Sequence, residues 1–382
     1  MPAHSPEFSF LLTCLRAALQ IQDPPATPAA QIDCPANLDW RAFLELAHEQ
    51  SVITLVYPPL ADRAPDEFAE AWHECWATAQ MHTVELSSVL ADFAAAGIDV
   101  MPLKGPVLAE SLYGDVAARR SADLDIMVRA HDFPAAKQIL VDAGFIPYKS
   151  TIPSYHLALE RDSTTIELHS ALARPRLCPL STDDVWSRSL PSSFQGQPIR
   201  ILSPEDSILY LCYHLLRHEC SRLLWIADVA RALQLLAAHD SGDTLLNASR
   251  QTHLDRILLF AAALCSATLL TRLPAAIAAA LDKEPKITAQ ARLFLEQSLD
   301  SSQGSKHTVI AWNFYSAEPS LWWRWRKRLG ELAPTPSDRL WAKAHRVPAP
   351  LVTPLLPAIR VIRIVAYYGF LGACRNFMRG TR

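Results

Sequence analysis

Glycine is scarce in this sequence, at 11 of 382 residues, whereas alanine and leucine are abundant. This balance favours a helix-rich protein, because glycine loses the most conformational freedom in a helix and alanine the least. The 28 prolines are then expected as breaks between helices. The length fits two domains, or one core with helical additions.

An excess of charge of one sign is also lacking. Charged residues make up 20% of the chain, and the formal net charge is −3. A dedicated nucleic-acid-binding surface needs an excess of lysine and arginine, so no such surface is predicted. A local basic patch is still compatible with this balance.

Cysteine pairs and long apolar runs are missing too. The eight cysteines are scattered without a Cys-x-x-Cys pair, which predicts reduced thiols in a cytoplasmic protein. No basic segment precedes the first apolar stretch, so no signal peptide is expected. The longest uncharged apolar run, Ile257–Thr271, is too short to span a bilayer and is predicted to be a buried core helix.

The spacing of apolar residues divides the chain into four regions. Residues 1–95 and 201–300 are predicted to be helical, residues 96–200 to be an α+β module, and residues 301–382 to be a helical tail rich in tryptophan and arginine. Two helix starts have clear capping signals. Asp39 suits the N-cap of one helix, and SPED, with Ser203 at the N-cap and Asp206 three residues later, is a capping box.

Alternating strand and helix patterns define the α+β module. A buried strand in GIDVMPLKG runs into a glycine turn, and Pro106 suits the first turn of the helix that follows. Gly144 suits the C-terminal end of a later helix. The predicted elements are helices at Pro106–Tyr113 and Phe133–Ala143, and strands at Asp123–Val128, Phe145–Tyr148, His156–Leu159 and Thr164–Leu168.

Asp123 and Asp125 are the first candidates for chemistry. They are separated by one residue on a predicted strand, so the two-residue period places both carboxylates on one face. Carboxylates this close repel each other unless a positive charge lies between them. A divalent metal satisfies this requirement, and Mg²⁺ suits oxygen ligands, with Mn²⁺ as the alternative. Taken alone, an Asp-x-Asp pair is more often a solvated strand edge.

Glu167 is the third candidate acid. It lies in TTIEL, where Ile166 and Leu168 are expected to face the core and Glu167 the opposite side. If this strand pairs beside Asp123 and Asp125, the three acids converge and can hold two metals. One metal would lower the pKa of an attacking hydroxyl, and the other would stabilise departing pyrophosphate.

Lys104 and Gly105 lie between a predicted strand and a predicted helix. Glycine at this position lets the backbone approach phosphate oxygens, and the N-terminus of the following helix attracts anions. Lys104 would act as a point charge on a triphosphate. Arg119 and Arg120, shortly before Asp123, would add positive charge near the metals.

The run LKGPVLAESLYGDVAARRSADLDIMV, followed by IELH, resembles the DNA polymerase beta nucleotidyltransferase superfamily. More narrowly, it is similar to an uncharacterised bacterial nucleotidyltransferase family found near exopolysaccharide and lasso-peptide gene clusters. The resemblance implies a small mixed sheet, Mg²⁺ ligation by the three acids, and contact of an NTP triphosphate near Gly105, with ATP as the expected NTP. The matching positions are Leu103-Lys104-Gly105, Tyr113, Arg120, Asp123-Leu124-Asp125 and Glu167-Leu168-His169.

The sequence departs from the wider superfamily at Pro106, where the superfamily has glycine or serine and the serine helps to hold phosphate. A second match lies downstream, in SPEDSILYLCYHLLRH and RLLWIADVARAL, which resemble the helices after the catalytic module in the same family. The resemblance therefore implies that residues 96–200 are the catalytic module and residues 201–300 the substrate-side domain. The downstream match contains His214, His218, Arg222, Trp225 and Asp228.

The downstream candidates also have plainer interpretations. His214 and His218 are four residues apart on a helix and could bind a metal together, but no third ligand is evident nearby. A packed or hydrogen-bonded pair is favoured over a metal site. A third interpretation is that the two histidines line the substrate cleft. Arg222 and Asp228 could equally form an interhelical ion pair.

Arginine and apolar residues cluster twice in the tail. Residues 322–328 read WWRWRKR, and residues 359–378 contain arginines among apolar side chains. Tryptophan and arginine favour interfaces, so these segments are candidates for contact with nucleic acid or with the surface of an anionic membrane. Helices that pack on the core with snorkelling arginines are the favoured alternative.

The sequence is compatible with three functions. The first is an Mg²⁺-dependent enzyme that moves an NMP from an NTP to an acceptor, which is a small molecule, a peptide or a protein. The second is a catalytically inactive nucleotide-binding or interaction protein in a surface-polysaccharide or peptide biosynthesis or export system. The third is an antitoxin-like transferase that modifies a protein or an RNA. In the first, the predicted roles are metal binding and catalysis for Asp123, Asp125 and Glu167, nucleotide binding for Lys104, Gly105 and Arg120, and substrate contact for His214, His218, Arg222 and Asp228.

Overall fold

A computed structural model describes residues 5–20, 32–148, 155–172, 178, 180–218, 220–239, 241–298, 348, 354–356 and 358–359. The predicted loop at residues 23–30 and the segment 322–328 lie outside the described residues, as does the segment 359–378 except for Ile359. The described part of the chain begins with helices. These are α1 (Pro6–Gln20), α2 (Trp40–Glu49), α3 (Ile53–Val56), a 3-10 turn (Pro58–Leu60) and α4 (Asp66–Ala95).

A small mixed sheet follows α4. Its strands are β1 (Val100–Pro102), β2 (Leu124–Val128), β3 (Ile146–Pro147), β4 (His156–Arg161) and β5 (Thr164–His169), arranged in the order β1-β2-β5-β4-β3. The β2 and β5 strands are parallel, whereas the other neighbouring pairs are antiparallel. Two helices lie between these strands in the chain, α5 (Gly105–Tyr113) and α6 (Phe133–Asp142). The predicted α+β class with a small mixed sheet is confirmed.

A second, two-stranded sheet was not predicted. After α7 (Thr182–Arg188), β6 (Leu190–Phe194) and β7 (Gln197–Ile201) form a hairpin. Its turn residues Gln195 and Gly196 both have positive φ, at 49° and 79°. Phe194 and Ile199 are buried in the same apolar cluster as the five-stranded sheet. Four residues of β6 are exposed, so this strand lacks the apolar alternation that signals a half-buried strand.

Helices make up the rest of the described chain. They are α8 (Pro204–Arg217), α9 (Leu223–Ala238), α10 (Gly242–Gln251), α11 (Asp255–Leu269), α12 (Ala275–Asp282) and α13 (Pro285–Ser298). The predicted core helix at Ile257–Thr271 corresponds to α11, in which nearly every side chain from Leu258 to Leu269 is buried. Among the described residues, no helix is both long and apolar enough to cross a membrane.

Both predicted helix caps are present. Asp39 accepts hydrogen bonds from the backbone N–H groups of Arg41 and Ala42 at the start of α2, and the Ser203 hydroxyl accepts one from the Asp206 N–H at the start of α8. The Asp206 carboxylate does not complete a capping box. It instead accepts two hydrogen bonds, each of 2.9 Å, from the Arg188 guanidinium of α7. The capping signal was therefore right about the serine and wrong about its acidic partner.

Two apolar clusters form the core. The larger one joins α1–α3 with α8–α13, and the guanidinium of Arg16 in α1 donates to the carbonyl of Thr268 in α11 at 2.8 Å. The smaller one lies between the sheet, α6 and the second half of α4, where Leu90 and Phe93 are fully buried. The long helix α4 therefore packs against the sheet that follows it. All seven cysteines in the described residues are free thiols.

Candidate active site

Asp125 and Glu167 lie opposite each other on neighbouring strands. In the parallel pair of β2 and β5, the register places Asp125 beside Glu167 and Leu124 beside Ile166. Directly paired residues point to the same face of a sheet. Leu124 and Ile166 are buried in the core under the sheet, so the two acids project from the other face. The predicted convergence of the Glu167 strand on the aspartates is therefore present.

His169 completes a three-residue group with these acids. Its Nε2 lies 3.1 Å from Asp125 Oδ1 and 3.4 Å from Glu167 Oε2. One potential ligand atom from each of Asp125, Glu167 and His169 lies within 4.8 Å of the others. Although burial opposes protonation, hydrogen bonds and charges from both acids raise the pKa of His169 above 6.5. In this arrangement a protonated imidazole compensates the two carboxylates.

Asp123 immediately precedes β2 and lies outside that three-residue group. Burial and the neighbouring Asp125 carboxylate raise its pKa to about 6, although Lys104 opposes the shift. Asp123 therefore holds its proton more readily than an ordinary aspartate. A bound cation would reverse this effect, because it favours the ionised carboxylate.

Lys104 connects β1 to α5 and neutralises Asp125. Its Nζ lies 2.9 Å from Asp125 Oδ2, and the Asp125 side chain is almost completely buried. Burial alone would raise the pKa of Asp125, but Lys104 and His169 outweigh it and hold that pKa below its usual range. The sequence predicted Lys104 as a charge on a triphosphate; the structure places its ammonium on the central aspartate.

The donor atoms around Asp125 fit a divalent cation. Two carboxylates and one imidazole converge, and Oδ2 of Asp125 is buried without a hydrogen bond of normal geometry among the described residues. Carboxylate oxygens suit Mg²⁺ and Mn²⁺, and an imidazole ligand is better tolerated by Mn²⁺. A cation at these atoms would compete with Lys104 and with the proton on His169 for the same negative charge.

A cavity of about 640 Å³ opens over these residues. Its walls come from α2, the segment before β2, β4, β5 and the facing ends of α8 and α9. The sequence-predicted residues that line it are Lys104, Arg119, Arg120, Asp123, Asp125, Glu167, His214, His218, Arg222 and Trp225. Gly105 and Asp228 do not line it.

Asp228 belongs to a buried ion pair beside the cavity. The Arg119 Nε lies 3.0 Å from Asp228 Oδ2, and the Tyr113 hydroxyl donates to Oδ1 at 2.9 Å. Arg119 and Asp228 are only 4% and 1% exposed. The interpretation of Arg222 and Asp228 as an ion pair is therefore wrong, because Arg119 is the partner of Asp228. The pair joins α9 to the segment before β2.

Residues 36–270 match the family described as uncharacterised nucleotidyltransferase. The chain belongs to this family. The resemblance seen in the sequence is thereby confirmed, and nucleotidyl transfer is the general chemistry that membership supports.

Two solved structures of the antibiotic-resistance factor ANT(2'')-Ia are similar to part of this chain. One is a solution structure, with 17% identity over 46% of this chain and 94% of that chain; the other is a crystal structure in complex with adenylyl-2''-tobramycin, with 16% identity over 45% and 99%. Both TM-scores are 0.34. No curated protein matches the chain.

His214, His218 and Trp225 pack together on one wall of the cavity. The two imidazole centroids are 4.5 Å apart and lie 5.3 Å and 4.9 Å from the Trp225 ring. Burial lowers the pKa of His214 well below its usual value and that of His218 to about 4, so both rings are neutral near pH 7. No third metal-ligating side chain joins them in the described part of the chain. The packed pair, lining the cavity, is the arrangement that the structure shows.

Gly105 shapes the turn after Lys104. Its φ is +68°, in the left-handed region that glycine adopts without strain. An added Cβ would lie 3.5 Å from Leu124 Cδ2, which is an ordinary contact. Gly105 is buried and does not line the cavity. The positive φ is therefore the reason that the structure shows for glycine at this position.

Sequence reasoning overlooked several cavity residues. His169 was named in the matching run Glu-Leu-His but received no role, although the two-residue period of a strand places it on the face of Glu167. Tyr210 and Arg217 were likewise overlooked, although their spacing from His214, at four and three residues, places all three on one helix face. Tyr155 and His156, at the start of β4, have no local sequence signal. They reach the cavity only because β4 pairs with β5.

Proposed function

We propose that this chain transfers a nucleoside monophosphate from an NTP to an acceptor hydroxyl or phosphate. The observation that carries the proposal is the convergence of Asp125, Glu167 and His169, with Asp123 adjacent, in a cavity of a nucleotidyltransferase-family chain. In this reaction an acceptor oxygen attacks the α-phosphorus of the NTP. The bond from that phosphorus to the bridging oxygen breaks, pyrophosphate leaves, and the acceptor loses its proton.

Asp125 and Glu167 would hold a divalent cation, Mg²⁺ or Mn²⁺, with Asp123 or His169 as further ligands. When bound, this cation supplies positive charge to the phosphates and lowers the pKa of a hydroxyl next to it. Both acids are positioned by regular strand pairing rather than by a loop, so their separation is well defined. This rigidity suits a reaction that depends on the alignment of two substrates.

The cavity walls divide the remaining roles. Arg120 and Lys104 lie on the side of the aspartates, where we assign the triphosphate, and Gly105 supports this side by forming the turn that presents Lys104. His214, His218 and Arg222 lie on the wall formed by α8 and α9, where we assign the acceptor. Asp228 supports this wall indirectly through Arg119. The acceptor thus lies between residues 96–200 and residues 201–300, and ATP is the expected NTP.

A second candidate function is nucleotide binding without turnover, in a surface-polysaccharide or peptide assembly. The contact of Lys104 with Asp125 favours this function, because the ammonium already neutralises the carboxylate that would bind a catalytic cation. Pro106, in place of a small polar residue after the glycine, points the same way. Seven free thiols in the described residues favour a reducing compartment, such as the cytoplasm, for either function.

Each α-³²P-labelled NTP, incubated with the full-length protein, Mg²⁺ and cell extract, tests the proposal. We expect pyrophosphate release and a labelled product with at least one NTP, and loss of both in Asp125→Asn and Glu167→Gln. The matched control is Asp92→Asn, an exposed position on α4 that should leave transfer unchanged.

Absence of turnover with every NTP would overturn the transferase proposal. Calorimetry in the same buffer then tests the second candidate. Mg²⁺-dependent nucleotide binding that Asp125→Asn abolishes would support a nucleotide-binding protein, whereas no binding would leave the acids as a buried charge cluster.

A further inference from the structure

Three arginines line the cavity without a carboxylate partner among the described residues. Arg120 contacts His48, with Nη1 3.2 Å from the imidazole Nδ1. Arg222 lies over the ring of Trp225, at 5.2 Å from its centroid. Arg217 hydrogen-bonds to the Tyr155 hydroxyl. The partners of all three guanidiniums are therefore neutral or aromatic groups.

The other two basic side chains in the same cavity are already neutralised. Lys104 lies on Asp125, and Arg119 lies on Asp228. Of the acids that remain in the lining, Glu167 belongs to the three-residue group and Asp123 precedes β2, whereas Glu49 ends α2. Arg217 and Arg222 therefore bring positive charge to the α8–α9 wall without a carboxylate partner among the described residues, and Arg120 brings it to the segment before Asp123.

Arg217 and Arg222 flank one turn of the chain. Arg217 is the last residue of α8, and Arg222 is the N-cap of α9. Both lower the pKa of His218, which lies between them in sequence and also lines the cavity. The backbone N–H groups of Leu223 and Leu224 already donate to Gln50, so the N-terminus of α9 is occupied by protein. The two guanidiniums, and not the helix end, are available for a ligand.

We propose that Arg217 and Arg222, together with Arg120, bind a phosphate or other multiply charged anionic group within the cavity. Guanidinium groups present several donors in a plane and bind phosphate oxygens with paired, charge-assisted hydrogen bonds. The proposal rests on the proposed function for the identity of the ligand. The group is either the triphosphate of the NTP, which then extends from Arg120 to the α8–α9 wall, or an acidic group of the acceptor, which then extends from that wall to Arg120.

Inorganic triphosphate is a suitable probe, because it contains no base and cannot donate a nucleotide. We would titrate it calorimetrically into the full-length protein, once in EDTA and once in Mg²⁺. We expect micromolar to millimolar binding that weakens with added salt, and a loss of about tenfold or more in affinity in Arg217→Gln and in Arg222→Gln. Both positions are exposed, so the variants should fold, which their thermal unfolding curves would verify.

Arg250→Gln is the matched control, because Arg250 is an exposed arginine on α10 that does not line the cavity. Its affinity for triphosphate should equal that of the unaltered chain. The proposal would be overturned if triphosphate bound in neither buffer. It would also be overturned if Arg217→Gln and Arg222→Gln bound triphosphate as tightly as the control Arg250→Gln. This titration measures binding and not transfer. If the arginines determine triphosphate affinity while the labelled-NTP assay shows no turnover, the transferase proposal fails and the anion site stands.

Competition with ATP assigns the source of the anion. If ATP displaces triphosphate, the arginines bind the phosphates of the nucleotide. If ATP and triphosphate bind together, the arginines bind an acidic group of the acceptor. Either result supports the anion site, and the second directs the search for an acceptor towards phosphorylated or carboxylated molecules.

Discussion

The ammonium of Lys104 lies 2.9 Å from Oδ2 of Asp125, and the His169 imidazole lies 3.1 Å from Oδ1 of the same carboxylate. One oxygen of a nearly fully buried aspartate therefore faces an ammonium, and the other faces an imidazole whose protonated form the two acids favour. Such a carboxylate is stable in the core only while its charge is compensated. Any divalent cation that binds Asp125 has to compete with these two partners, and this competition governs the first two predictions.

Removing the charge of Lys104 should strengthen metal binding. In Lys104→Met, the repulsion between the ammonium and a bound cation is lost, so we expect the affinity for Mn²⁺ to rise by roughly tenfold, or ~1.4 kcal/mol. Calorimetry or electron paramagnetic resonance at pH 8 would measure it. Lys137→Met, at an exposed position on α6, should not change the affinity. An unchanged or lower affinity in Lys104→Met would show that the lysine does not compete.

Metal affinity should rise with pH through the titration of His169. Asp125 and Glu167 outweigh burial and raise the pKa of this imidazole above 6.5, and the protonated ring cannot ligate a metal. Mn²⁺ binding should therefore be weak below the pKa of His169 and strengthen above it. In His169→Gln this step should largely disappear. A step of the same size in the variant would assign it to another group, with Asp123 the nearest alternative because its pKa is raised to about 6.

The buried group of Arg119, Asp228 and Tyr113 should contribute strongly to stability. Arg119→Met leaves Asp228 buried with one hydrogen bond, and we expect unfolding to require ~3–5 kcal/mol less. Tyr113→Phe removes a hydrogen bond to a charged acceptor and should cost ~1.5–3 kcal/mol. The double variant Arg119→Met/Asp228→Leu should recover most of the loss. Urea unfolding followed by circular dichroism measures all three, and a double variant no more stable than Arg119→Met would contradict the account.

Gly105 and Gly97 allow backbone strain to be separated from ligand contact. Their φ angles are +68° and +70°, and an added Cβ meets an ordinary contact at Gly105 and nothing within 4 Å at Gly97. Each Gly→Ala change should therefore destabilise the fold by a similar amount, ~1 kcal/mol. Nucleotide affinity should be the same in both variants. A selective loss of affinity in Gly105→Ala would show that its backbone touches phosphate directly.

Much of the fold was predictable from local patterns. The two-residue period of DLDIMV and TTIEL identified β2 and β5, and the apolar run of α11 identified a buried helix. These signals are local because the spacing of side chains along a strand or a helix is set by backbone geometry. The β6–β7 hairpin gave no such signal, since most of β6 is exposed and its pairing is satisfied by backbone atoms.

The candidate site divides in the same way. Asp123, Asp125 and Glu167 could be chosen from their spacing and neighbours, and the convergence of Asp125 and Glu167 followed once β2 and β5 were paired. The ion-pair partner of each charged side chain could not be predicted from the sequence. Arg119 and Asp228 are 109 residues apart in the chain, and nothing in the sequence separates Arg119 from Arg120 as the buried member.

The sequence by itself determined most of the elements that form, which of their faces are apolar, and that Asp125 and Glu167 lie on polar faces of strands, with Asp123 directly before one of them. Those properties depend on the intrinsic geometry and hydrophobicity of short segments. Only the tertiary structure decided that Lys104 and His169 neutralise Asp125, that Arg119 joins Asp228, and that Arg120, Arg217 and Arg222 are left facing the cavity. Charge pairing depends on distances between residues remote in the chain, and packing sets those distances.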